Sequence, residues 1–108
     1  MENFEQKWLH TETLLRERFD KVPDMEGILF LIGVNELGSL PRKKFSKEQK
    51  QDLMHIAVCT LLCQLGYYAP AGRDDDGWPH FHELMAVPVT GMGEQERMLK
   101  ECIVRYFE

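Results

Sequence analysis

The chain has 108 residues, so a single domain is expected, and a chain of this length can build one hydrophobic core. Hydrophobic residues make up 44% and charged residues 29% of it, both signs interspersed, a balance that fits a soluble globular protein better than a disordered or membrane-embedded one. A formal net charge of −5 argues against nucleic acid or an anionic membrane as the default partner.

The opening residues, Met1 to Lys7, lack the basic and apolar regions of a signal peptide. The longest apolar run, Ile28 to Ile32, is far short of the roughly 20 residues a membrane span needs. Three cysteines, an odd number set inside predicted helices, read as reduced thiols of a cytoplasmic protein. Phe4, Trp8, Thr11, Leu15 and Phe19 recur at helical spacing, with Leu9 and Leu14 widening the stripe. They predict an amphipathic first helix that ends near Phe19, because Pro23 forbids continuation.

Asp24 can cap a second helix with the body Glu26 to Leu37, and Gly38 supplies a left-handed cap at its end. Ile28 to Val34 taken alone also suits a buried strand; the capping residues at both ends favour helix. A helix apolar on nearly every side belongs at the centre, where Gly27 and Gly33 would let neighbours come close.

The third helix opens on Ser46-Lys47-Glu48-Gln49, a capping-box pattern. Leu53, Met54, Ala57, Val58, Leu61, Leu62 and Leu65 form its wide apolar face, and Gly66 closes it. A narrower stripe on the other side carries Asp52, His55, Ile56, Cys59 and Cys63. Two usable faces predict that this helix is sandwiched, within the monomer or against a second copy. Tyr67 to Leu84 breaks helical periodicity, with Tyr67-Tyr68 and Trp78 to Phe81 able to pair as a short hairpin turning near Asp76-Gly77. A last helix starts around Gly93 or Glu94, with Met98, Leu99, Cys102, Ile103, Tyr106 and Phe107 on one face. The expected class is therefore all-α: a four-helix bundle-like domain with an irregular or hairpin-containing loop between helices three and four.

Candidate chemistry concentrates in Gly72 to Glu83, G-R-D-D-D-G-W-P-H-F-H-E. Aligning Gly77 with the glycine of an EF-hand puts Asp74, Asp76 and Glu83 at calcium-ligand positions. Gly72 stands where an aspartate belongs, however, and Pro70 and Pro79 spoil the flanks, so an acidic solvated turn is the stronger reading. His80 and His82 share one side of an extended strand, and His55 with Asp52 has the three-residue spacing of helical carboxylate–histidine sites. A divalent metal held by His55, His80, His82 and Glu83 is chemically reasonable, but no complete zinc or iron signature is present and no cofactor is expected. Cys59 has His55 one turn away, a poor setting for a nucleophile in mid-helix.

Arg42, Lys43, Lys44, Lys47 and Lys50 form a basic segment leading into the third helix. It reads as a solvated loop or as a docking surface for an acidic partner, which the Asp74 to Asp76 turn itself could supply across a dimer. Trp78-Pro79-His80-Phe81 reads first as a plug over the helical core and second as an interface hot spot.

The motifs I-L-F-L-I-G-V-x-E-L-G (Ile28 to Gly38), D-L-M-H-I-A-V-C-T-L-L (Asp52 to Leu62), G-Y-Y (Gly66 to Tyr68) and D-x-D-G-W-P-H (Asp74 to His80) resemble a family of short uncharacterised bacterial proteins. That resemblance covers most of residues 25 to 82; it implies a bacterial cytoplasmic setting and no activity or catalytic residue. The expected function is a non-enzymatic protein-interaction domain, as a homodimer, using Asp74, Asp76, Trp78, His80 and His82. The alternative is a small metal-dependent protein or enzyme using His80, His82 and His55.

Overall fold

The structure, a computed structural model, describes residues 3–19, 23–38, 44–88 and 91–108. The apolar spacing of the first segment produces the helix α1 (Phe4–Phe19). Its start is fixed by a reciprocal pair not expected from the sequence: Gln6 N–H donates to Asn3 Oδ1 at 2.9 Å, and Asn3 N–H donates to Gln6 Oε1 at 3.2 Å. Next comes α2 (Met25–Leu37), which stops where Gly38 turns left-handed at φ 79° and returns its N–H to the Val34 carbonyl at 3.1 Å. The third helix, α3 (Lys47–Cys63), opens on the capping box, with Gln49 N–H donating to Ser46 Oγ at 3.1 Å and Ser46 N–H to Gln49 Oε1 at 2.9 Å. The last is α4 (Met92–Tyr106).

Between α3 and α4 the chain forms an antiparallel hairpin of β1 (Tyr68–Arg73) and β2 (Pro79–Glu83), so the class is mixed α/β and the all-α expectation is corrected. Pro70 and Pro79 deny this stretch a helix, and the turn between them brings two short strands into register. Tyr68 pairs with Glu83, Ala69 with His82 and Pro70 with Phe81, with an irregularity before Arg73 meets Pro79. The open end is tied by Leu84 and Met85, whose N–H groups donate to the Tyr67 carbonyl at 2.8 and 3.3 Å.

The chain divides into two compact units, Met1–Asp24 with Pro88–Glu108, and Met25–Val87. In the first, α1 pairs with α4, and Leu15, Cys102, Ile103 and Val104 are buried. Buried Thr11 has its hydroxyl satisfied by the Lys7 carbonyl at 3.1 Å. Arg97 stacks over Phe4 at 4.4 Å and Lys100 lies over Trp8 at 5.2 Å, joining the edges of the two helices by cation–π contacts.

In the second unit α2 packs on α3, and Ile28, Leu29, Ile32, Leu37, Leu53, Ile56, Ala57, Leu61 and Leu62 are buried. The contact is closest at Gly33, where a Cβ would run into the Leu53 carbonyl. The hairpin packs on α3 as well, so within this unit α3 contacts both α2 and the hairpin, and Arg73 of the hairpin also reaches the end of α2. Among the described residues no helix is long and apolar enough to cross a membrane.

Candidate functional site

The hairpin turn is organised by one side chain. Asp74 Oδ1 accepts from Asp76 N–H at 3.0 Å and from Trp78 N–H at 2.9 Å, while Asp74 Oδ2 accepts from His80 Nε2–H at 3.0 Å. The Asp74 backbone completes the turn: its N–H donates to the Trp78 carbonyl and its carbonyl accepts from Gly77, both at 3.0 Å. This is the three-residue hairpin loop in which the last position must be left-handed, and Gly77 has φ 85°. The His80 hydrogen bond first, and then the Trp78 and Asp76 N–H groups, hold the Asp74 carboxyl below its ordinary value, against a smaller opposing effect of desolvation. Of three consecutive aspartates, only the first therefore has a defined local task.

Arg73, which sequence reasoning missed, fixes this turn against the rest of the unit. Its guanidinium donates to the Glu36 carbonyl at 2.6 Å, the Leu37 carbonyl at 3.1 Å and the Gly77 carbonyl at 2.8 Å. The first two are among the end carbonyls that a helix leaves without partners. The last turn of α2 has no basic residue of its own, so the charge that complements its negative end comes from the hairpin. No local pattern announces such a contact across 36 positions of sequence.

The second stripe of α3 is divided by the hairpin. Ile56 and Cys59 are buried, and Thr60 and Cys63 line a space of about 260 Å³ beside Pro70, Arg73 and Phe81. Toward the start of α3 the cover gives out. There Gln49, Asp52, His55 and Ile56 face Asp74, Trp78, Pro79 and His80 across an open groove of about 460 Å³. Two carboxylate–imidazole sets far apart in sequence, Asp52 with His55 and Asp74 with His80, thus line one groove over an apolar floor of Ile56, Trp78 and Pro79. Trp78 is half-buried and absent from the buried core, so it lines this groove, where a core plug was expected.

The other candidates are placed elsewhere. Exposed His82 stands opposite Ala69, and Glu83 pairs with Tyr68 at the far end of the hairpin from the acidic turn, which separates it from Asp74 and Asp76. Asp76 is exposed, and the turn uses its backbone N–H. Among the described residues no three His, Cys, Asp or Glu side chains converge where a metal ion could be held; His55 and His80 share the groove without forming such a cluster.

Cys59 Sγ lies 3.6 Å from His55 Nε2, but burial first and nearby Cys63 second push its thiol up, the reverse of what an activated nucleophile needs. Burial first, and then Glu36, push up the Cys63 thiol as well. Of the basic segment, Lys44, Lys47 and Lys50 are exposed, while Arg42 and Lys43 lie outside the described residues.

Comparison of the chain with protein-family models, with curated proteins and with solved structures returned no significant match.

Proposed function

We propose that this protein is a non-enzymatic interaction domain that self-associates through the groove between α3 and the hairpin. One observation carries the reading. The hairpin covers only part of the second face of α3, and in the groove that remains its half-buried tryptophan and proline stand over a buried isoleucine, between polar side chains that are exposed. An aromatic anchor set among satisfied and solvated polar groups is the usual make-up of an interface centre. The groove is open, which suits a protein surface better than a small molecule that must be enclosed on most sides.

Sedimentation equilibrium at tens of micromolar concentration tests the reading. The wild type is expected to show an average mass that rises with concentration above the 12.7 kDa of one chain. Trp78→Ala should return the mass to that of the monomer, and Glu17→Ala, at an exposed position of α1, should not. A wild type of monomer mass at every concentration would refute self-association.

A further inference from the structure

The groove also carries information about what sits on it. The hairpin tip lies alongside the first turns of α3, because Asp74 and Gln49 line the same groove. One side of that end of α3 is therefore acidic, with Asp52 on the helix and Asp74, Asp75 and Asp76 on the turn, all exposed. Lys44, Lys47 and Lys50 are exposed at the same end of α3. At 100° per residue, Lys47 and Lys50 lie about 140° and 160° from Asp52 around the helix, so the two charges occupy separate flanks of one end. Among the described residues none of these three lysines is ion-paired, and both Lys47 and Lys50 sit where the helix dipole gives positive charge nothing locally.

Building on the self-association reading, we infer that the occupant of the groove is the basic start of α3 from a second copy, whose Lys44, Lys47 and Lys50 meet the Asp52 and Asp74–Asp76 flank. A two-fold axis passing near this end of α3 makes the contact reciprocal: the lysines of each copy face the aspartates of the other. The chemistry of the groove matches such an occupant. Lysine stems can lie along Trp78 and Pro79 while their ammonium groups reach the carboxylates, and an ammonium over an indole face is itself attractive. Asp74 is suited to this role, because its own hydrogen bonds keep it ionised and still leave it exposed. The pairing also gives three unpaired cations a use in a chain whose overall charge, −5, would otherwise drive copies apart.

Charge exchange tests this directly. One variant carries Lys47→Glu and Lys50→Glu, the other Asp52→Lys and Asp75→Lys; all four positions are exposed, and unchanged circular dichroism with a cooperative thermal transition in dilute solution, where association does not contribute, establishes that both variants fold. Each alone should weaken self-association by about tenfold at low salt, as lost pairs become repulsions. The wild-type association should weaken as salt rises to about 0.5 M, where screening shortens the reach of surface charge. An equimolar mixture of the two variants should recover association through one restored set of pairs, seen as a heterodimer mass by sedimentation or native mass spectrometry.

Different failures have different meanings. A monomeric wild type overturns the self-association reading and this inference together. A wild type that associates, with charge reversals that change nothing, or that weaken it without recovery on mixing, overturns only the pairing inferred here.

Discussion

Arg73 shows how much of the second unit depends on a single side chain. Its guanidinium satisfies two terminal carbonyls of α2 and one of the hairpin loop, so it stabilises a helix end and a turn at once. Charge-assisted hydrogen bonds of this kind are stronger than neutral ones, and truncation leaves their acceptors to water or to nothing. Arg73→Ala is expected to lower stability by about 2 kcal/mol in denaturant unfolding. Arg73→Lys should recover only part of that, because an ammonium cannot span three acceptors with a planar fork.

Asp74 makes a pH-dependent contribution whose sign follows from its environment. Its carboxyl is held below the ordinary value of 3.8 in the folded protein, mainly by His80. The unfolded chain then binds the proton more readily than the folded one. The stabilisation is fully present above the ordinary carboxylate range and is lost as pH falls through the lower folded value. Acid unfolding of Asp74→Ala should lack that part of the slope, and carbon NMR of the wild type should place the Asp74 inflection below those of exposed aspartates. An Asp74 inflection in the ordinary range would remove the basis of the argument.

At the scale of elements, the tightest constraint is the crossing of α2 and α3. Gly33 is buried, and a methyl group there would meet the Leu53 backbone, which cannot swing aside as the end of a side chain can. Gly33→Ala is therefore expected to destabilise the protein by about 1–3 kcal/mol, despite the gain in helix propensity that alanine normally brings. A neutral or raised unfolding midpoint would mean that the helices separate at little cost. The hairpin is held differently, by the Asp74 turn at one end, by the Tyr67 carbonyl at the other and by packing on α3 between them. An isolated two-stranded hairpin is marginal in water, so that packing is what allows six- and five-residue strands to persist.

At the scale of the whole molecule, association and stability should be linked. A partner that binds only the folded chain raises the apparent unfolding midpoint by mass action. If the groove receives a second copy, the thermal midpoint of the wild type should rise with protein concentration, and that of Trp78→Ala should be independent of it. A midpoint flat over a hundredfold range of concentration for both proteins would argue against the interface without any reference to mass. The acidic balance of the chain adds a second expectation at this scale. Repulsion between like-charged molecules grows as salt is removed, so any contact that survives at low ionic strength must be locally complementary.

What the sequence determined by itself was local. The apolar stripe of α1, the Ser46–Gln49 box, the Gly38 stop and the close approach at Gly33 follow from propensities and hydrogen bonds within a turn or two, or from the absence of a side chain. The double face of α3 was legible too, as was the possibility of a hairpin turning at Gly77. Only the tertiary structure decided that the hairpin is a defined element, and that it covers one part of the α3 face and leaves another open. It also decided that Arg73 reaches α2, and that His80 joins Asp74 while His82, two residues on, stays apart. Those outcomes depend on strand register and on packing between segments distant in sequence, where a shift of one residue would turn every side chain to the opposite face.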